Sequence, residues 1–136
     1  MRQPKIGIVA LIINNGQVLM AERLAGKCQG KYAGPGGHLE WMETFVDGAL
    51  RELREETGIV GDPASCEVIG VDQGFVPEED HCWVVVFVRV GFWSGLPRQV
   101  ESDKQGPWGW HPLDNLPDNT LEPLKRICKK LSELDG

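Results

Sequence analysis

Three carboxylates in the middle of the chain have the spacing of side chains that share one face of a helix. Glu52, Glu55 and Glu56 stand at positions i, i+3 and i+4, which are neighbours on a helix surface. Their like charges repel by about 0.2–0.5 kcal/mol per pair in an isolated helix. A divalent cation that prefers oxygen ligands offsets this repulsion. The spacing therefore predicts a metal site, with Mg2+ as the cation and Mn2+ as a substitute.

The surrounding sequence predicts the helix that this spacing requires. Thr44 can cap the first turn, with Asp47 three positions later in the manner of a capping box. Gly58 predicts the end of the helix in the left-handed conformation. Gly48 lies inside the helix and indicates a close packing contact, because glycine there costs roughly 1 kcal/mol against alanine. The face that would pack on a core comprises Val46, Ala49, Leu50, Leu53 and Thr57.

The elements around this helix follow from apolar runs and turn signals. Asn14-Asn15-Gly16 indicates a tight turn between two strands of a hairpin. Apolar residues at helical spacing from residue 121 onward, with Pro123 in the first turn, predict a terminal helix. Strands are predicted at residues 5–13, 17–23, 31–33, 66–75, 81–92 and 107–111. Strands interleaved with two helices predict an α/β fold, and the length predicts one domain over residues 1–136.

Charge and composition argue against several classes of partner. The net charge of −6 disfavours duplex nucleic acid or an anionic membrane as a main partner. No apolar run has the length of a transmembrane helix, and the first ten residues are not those of a signal peptide, so a cytoplasmic location is expected. The four cysteines lie far apart without a CxxC pair, which predicts reduced thiols and no zinc ribbon.

The residue types together indicate metal-assisted hydrolysis of a phosphoanhydride. Mg2+ usually keeps some of its water while it accepts phosphate oxygens. It can then neutralise a polyphosphate, polarise the phosphoryl group and lower the pKa of an attacking water. The loop Gly34-Pro35-Gly36-Gly37 precedes the carboxylates, and its glycines allow the backbone to approach a ligand closely.

The stretch at residues 37–59, GHLEWMETFVDGALRELREETGI, resembles the Nudix box, G-x5-E-x7-R-E-U-x-E-E-x-G-U, in which U is a bulky apolar residue. It matches every defined position: Gly37, Glu43, Arg51, Glu52, Leu53, Glu55, Glu56, Gly58 and Ile59. The resemblance implies the Nudix fold, an α/β/α sandwich around a mixed β-sheet. It also implies Mg2+-dependent hydrolysis of a small nucleotide substrate, and it favours a homodimer.

The same resemblance implies roles for the residues of the box. Glu52 and Glu56 would be the main metal ligands, and Glu55 would be a further ligand or would orient water. The carbonyl of Gly36 has the position of the family's backbone ligand. Arg51 and Glu43 would form an ion pair that braces the loop against the helix and orients Glu52. The general base varies across the family, and the candidates here are Glu52, Glu55, Glu101 and Asp103.

Two further stretches, PGGHLEWMET and ESDKQGPWGWHPLDNLP, resemble MutT-like nucleotide diphosphatases of the MutT homologue 2 type. These hydrolyse nucleoside triphosphates, including oxidised or modified ones, to monophosphate and pyrophosphate. The alternative is a pyrophosphatase of ADP-ribose or of another nucleoside diphosphate-linked substrate. A non-catalytic, nucleotide-sensing Nudix domain is disfavoured because such domains commonly degrade the box. Candidate substrate contacts are Arg23, Lys31, Tyr32, His38 and Glu101, with Phe75 as a further stacking candidate.

Overall fold

A four-stranded mixed sheet lies at the centre of the fold, in a computed structural model that describes residues 2–135. The elements are β1 (Lys5–Leu11), β2 (Ile13–Asn14), β3 (Gln17–Glu22), β4 (Tyr32–Ala33), β5 (Gly36–His38), α1 (Phe45–Thr57), β6 (Val60–Gly61), β7 (Cys66–Val76), β8 (His81–Val90), β9 (Trp93–Ser94), β10 (Gly109–Pro112) and α2 (Glu122–Asp135). The sheet has the order β5-β1-β8-β7. Strands β1 and β8 are parallel, and the other two pairs are antiparallel.

A second sheet of order β10-β3-β2 is antiparallel, and β4 pairs with β3. The predicted strand at residues 5–13 is therefore divided into β1 and β2, which belong to different sheets. The short pair β6 and β9 was not predicted, because two-residue strands leave no periodic pattern.

The two helices cover opposite faces of the central sheet. On one face, Leu53 of α1 is buried in a core that also contains Ile8 and Val86. On the other face, Leu124 of α2 is buried in a core that contains Phe87. This arrangement confirms the predicted α/β/α sandwich around a mixed sheet. No helix within residues 2–135 is long and apolar enough to cross a membrane.

Helix α1 begins and ends at the residues that the sequence predicts. The Thr44 hydroxyl accepts a hydrogen bond from the Asp47 backbone N–H at 3.1 Å, which satisfies one free donor of the first turn. Gly58 ends the helix at φ 81°. At Gly48, a Cβ would lie 2.7 Å from Ile8 Cδ1, so the absence of a side chain allows the helix to approach β1 closely.

A β-bulge divides strand β7 between Val68 and Gly70. Val68 pairs with Val88, whose side chain lies in the core on the α1 face. Gly70 pairs with Phe87, whose side chain lies in the core on the α2 face. The extra residue in the strand changes which alternate residues point to each face, as bulges do.

Candidate active site

Arg51 is the centre of an ion-pair network at the edge of β5. Its guanidinium contacts both oxygens of Glu43, at 2.7 and 3.0 Å, and Glu52 Oε1 at 2.7 Å. It also donates to the backbone carbonyl of His38 at 3.1 Å. The hydrogen bonds from Arg51 hold the pKa of the Glu43 carboxyl below its usual range. Arg51 therefore ties the loop, β5 and helix α1 together and fixes one oxygen of Glu52.

Glu56 is buried, with 3% of its surface exposed. Its Oε2 accepts the Gly36 backbone N–H at 2.9 Å, and its Oε1 accepts the side-chain amide of Gln105. Within residues 2–135 it has no cationic partner. Burial, followed by the neighbouring Glu52, raises the pKa of Glu56 to about 9. A buried carboxylate with only neutral donors is a strong potential ligand for a cation.

The glycines before the helix leave no space for side chains. A Cβ on Gly37 would lie 2.5 Å from Glu52 Oε1, and one on Gly36 would lie 2.3 Å from the Ile8 carbonyl oxygen. The backbone of Gly37 therefore lies directly against Glu52, whereas Gly36 lies against β1 and directs its N–H at Glu56. Glu55 is farther out, with 55% of its side chain exposed and a 3.4 Å contact to Arg51.

These residues supply the chemistry of a site for a hard divalent cation. Glu52, Glu56 and the Gly36 carbonyl offer oxygen ligands, which suit Mg2+ and Mn2+. Within residues 2–135, no three acidic, histidine or cysteine side chains converge as a preformed metal site. Arg51 holds Glu52 and Glu55, whereas Gly36 and Gln105 hold Glu56.

The segment at residues 98–106 lies against the carboxylates. Glu101 is close enough to Glu56 to contribute to its raised pKa, and it forms a 3.5 Å ion pair with Lys104. Asp103 is exposed. Gln105 is the residue of this segment that contacts Glu56 directly, and the sequence did not predict it because no motif marks it.

The loop at residues 24–31 carries basic groups to the same region. Arg23 closes this loop by donating from Nε to the Lys27 carbonyl at 2.8 Å, and its backbone forms a bridge with Gln105. Lys31 is exposed, and its carbonyl accepts the Arg23 N–H at 2.9 Å. Arg23 and Lys27 lie near enough to His81 to lower its pKa, after burial as the main cause.

Aromatic rings form a platform on the face of the sheet opposite to α1. His81 and Trp83 stack with their centroids 4.8 Å apart. The indole of Trp83 occupies space above Gly74, where a Cβ would lie 2.2 Å from the ring. Gly7 lies on its other side, with a Cβ contact of 3.6 Å. His38 pairs with Gly7 across the strands, so its side chain projects from this same face.

Tyr32 and Phe75, the predicted stacking candidates, have different positions. Tyr32 packs against the same core as Trp83, and its ring meets His111 edge-on at 5.4 Å. Phe75 pairs with Cys82 and projects from the α1 face, where it is 66% exposed. The structure therefore does not bring Phe75 to the aromatic platform.

Comparison with known families agrees with this geometry. The NUDIX domain model matches residues 1–131 of the chain. This protein belongs to the Nudix family. The match confirms the resemblance inferred from residues 37–59, and the protein is a Nudix hydrolase of the MutT-like type. Nudix hydrolases generally use divalent cations and act on small nucleotides.

The similar proteins include enzymes with different named substrates. An oxidized purine nucleoside triphosphate hydrolase from Danio rerio is 31% identical over 113 residues, which cover 83% of this chain and 69% of that protein. An ADP-ribose pyrophosphatase from Methanocaldococcus jannaschii is 30% identical over 127 residues, covering 91% and 71%. The crystal structure of a MutT NUDIX hydrolase from Burkholderia pseudomallei superposes with a TM-score of 0.84 at 29% identity, covering 95% of this chain and 98% of that one.

Proposed function

We propose that this Nudix hydrolase cleaves a nucleoside triphosphate, including oxidised or modified ones, to nucleoside monophosphate and pyrophosphate in a Mg2+-dependent reaction. The observation that carries the proposal is Glu56, a buried carboxylate held by two neutral donors with Glu52 beside it. The named activity of the relative from Danio rerio supports a triphosphate substrate.

The proposed cation would be held by Glu52, Glu56 and the Gly36 carbonyl, with Glu55 as a further ligand or as the group that orients water. When bound, the cation supplies charge neutralisation of the polyphosphate and polarisation of the phosphoryl group that water attacks. Arg51 keeps Glu52 in place through its 2.7 Å contact. Glu52, Glu55, Glu101 and Asp103 are the proposed candidates for the base that accepts the proton of water.

We propose that the platform of His81 and Trp83 contacts the nucleobase. A flat aromatic ring on a sheet face offers a base a stacking contact of about 1–3 kcal/mol. His38 projects from the same face, and Arg51 binds its carbonyl, so this face adjoins the carboxylates. Tyr32 would border the platform through the core that it shares with Trp83.

Basic residues at the rim would receive the phosphates. The protein carries a net charge of −6, so an anionic substrate needs local positive charge as well as the cation. Arg23 and Lys27 lie near His81, and Lys31 is exposed on the same loop. We propose these three residues as the phosphate contacts.

The second candidate function is hydrolysis of ADP-ribose or a related nucleoside diphosphate-linked compound. It is supported by the relative from Methanocaldococcus jannaschii, which matches 91% of this chain. The products distinguish the two candidates. A triphosphate yields pyrophosphate, whereas ADP-ribose yields AMP and a sugar phosphate.

A panel of nucleotides assayed with Mg2+ tests the proposal, together with Glu56→Gln and Glu55→Gln. We expect Glu56→Gln to lower kcat/KM by at least about 100-fold, since one ligand charge is lost from the proposed site. Glu122→Gln is the matched control, because Glu122 lies on α2 with 68% of its side chain exposed. Wild-type rates in both box variants would refute the metal site. Binding of nucleotide without any turnover would instead favour a sensing domain.

The expected homodimer and cytoplasmic location stay predictions. Sedimentation velocity at micromolar protein concentration measures the first, and fractionation of cells measures the second.

A further inference from the structure

Gln105 has an unusual position for a polar side chain. It is 8% exposed and lies in the segment that closes over the last turn of α1. Its Nε2 donates to Glu56 Oε1. Its Oε1 is fully buried and has no hydrogen-bond partner among the described residues. A buried acceptor without a partner carries a desolvation cost, so this oxygen requires a hydrogen-bond donor.

The backbone of Gln105 is fixed on both sides. Its N–H donates to the Glu101 carbonyl at 3.0 Å, and its carbonyl accepts Nε2 of Gln99 at 3.0 Å. It also forms a β-bridge with Arg23. These contacts hold the side-chain amide against Glu56 and leave it little freedom to turn towards another partner.

The orientation of the amide follows from its contact with Glu56. If the amide were reversed, its carbonyl oxygen would face Glu56 Oε1, and two acceptor oxygens would be placed against each other. The amide nitrogen therefore faces the carboxylate. The carbonyl oxygen lies beside it in the same planar group, which places an additional hard oxygen next to the proposed metal ligand.

We propose that Gln105 is a positioning residue for the divalent cation, with a separate task for each of its two polar atoms. Nε2 holds the Glu56 carboxylate in place, and Oε1 accepts a hydrogen bond from water in the hydration shell of the cation. A water of this kind gives the buried Oε1 its missing hydrogen-bond donor, so the desolvation cost of this oxygen is offset when the cation binds. This inference rests on the proposed function, since it requires that Glu56 binds the cation.

The test is Mn2+ binding without nucleotide, measured by electron paramagnetic resonance titration of the wild-type protein, Gln105→Met and Gln99→Met. Methionine keeps the length of the side chain and removes both polar atoms. We expect Gln105→Met to bind Mn2+ about 10- to 100-fold more weakly, as is typical when a partner of a metal ligand is lost. Gln99→Met is the matched control, because it removes a bond to the same segment without touching Glu56.

Thermal unfolding without metal separates this role from a structural one. We expect Gln105→Met to differ little from the wild-type protein in stability, because removal of the unpaired Oε1 offsets the loss of the donor to Glu56 Oε1. A merely structural glutamine would show the opposite pattern, with lower stability and unchanged Mn2+ affinity. That pattern, or wild-type Mn2+ affinity alone, would overturn the proposal.

Gln105→Asn tests the same idea if the methionine variant does not fold. Asparagine keeps both polar atoms but is one methylene shorter and cannot reach Glu56 in the same way, so Mn2+ should raise its melting temperature less than that of the wild-type protein. An equal rise would overturn the proposal. Failure of the proposed function has a different signature, because Glu56→Gln would then retain both Mn2+ affinity and turnover, whatever Gln105 does.

Discussion

Replacing Arg51 by methionine should destabilise the protein far more than replacing another arginine with a contact of the same length. Arg51 Nε lies 2.7 Å from Glu43 Oε2, and Arg126 Nε lies 2.7 Å from Asp72 Oδ2. The two pairs differ in burial. The side chains of Arg51 and Glu43 are 22% and 12% exposed, whereas those of Arg126 and Asp72 are 49% and 34% exposed.

The expected magnitude follows from this difference. Exposed pairs contribute about 0–1 kcal/mol, and loss of one partner from a buried pair costs about 3–5 kcal/mol. Arg51 lies nearer to the buried limit and also holds Glu52, so two carboxylates lose their partner. We expect Arg51→Met to lower the free energy of unfolding by about 3 kcal/mol, and Arg126→Met by less than about 1 kcal/mol.

The pH dependence gives a second readout. Arg51 lowers the pKa of Glu43 from its ordinary value of 4.5. The stabilisation is therefore fully present above pH 4.5 and is lost as the pH falls through the lower pKa of the folded state. Urea unfolding from pH 7 to pH 3 should show the difference between Arg51→Met and the wild-type protein becoming smaller in acid. A loss below 1 kcal/mol at pH 7, or a loss that does not change with pH, would refute the reasoning.

Three further predictions concern the nucleobase, the cation and the helix end. In Gly74→Ala the new Cβ would collide with the indole of Trp83. Loss of a nucleobase stacking contact of about 1–3 kcal/mol should raise KM about 5- to 100-fold with little change in kcat. Gly7→Ala is the control, because its Cβ would lie at an ordinary 3.6 Å from Trp83, and it should keep the wild-type KM. The pKa of Glu56 is raised to about 9, so a cation that binds it must displace its proton. Mg2+ affinity measured by calorimetry should therefore rise with pH up to about 9. Glu56→Gln should remove much of this dependence of the affinity on pH. Gly58→Ala should lower the free energy of unfolding by about 1–2 kcal/mol in urea, since Gly58 has φ +81° and the Arg98 guanidinium occupies the space for its Cβ. Gly16→Ala is the control, because Gly16 has φ +74° but open space at its Cβ position. A smaller loss in Gly58→Ala than in Gly16→Ala would contradict this.

Much of the fold and the set of carboxylates could be predicted from the sequence, because both depend on residues that are close together in the chain. The N-cap at Thr44, the left-handed end at Gly58 and the strand at residues 81–92 all have signals within a few residues. The spacing of Glu52 and Glu56 is likewise a property of one helix. Arg51 and Glu43 lie eight residues apart, and the box motif already contains both.

The partners of these residues depend on distant parts of the chain. Gln105 lies 49 residues from Glu56, and only the folded segment at residues 98–106 brings them together. The platform of Trp83 needs Gly7 and Gly74, which flank it only in the register of three paired strands. No spacing within one segment encodes that register, so the aromatic residues that would contact a substrate could not be separated from core residues.

The bulge in β7 keeps the protein's own phenyl ring off the aromatic platform. Residues beyond it alternate between the two faces of the sheet, starting from Gly70 on the α2 face. Val68 pairs with Val88 and Gly70 with Phe87, so deleting Ile69 would leave a regular ladder in which Gly74 still lies opposite Trp83. If β7 instead kept Ile69 and lost the bulge, each residue beyond Val68 would move by one position along β8, and Phe75 would lie opposite His81 on the α2 face. One unpaired residue therefore separates an open aromatic platform from a filled one.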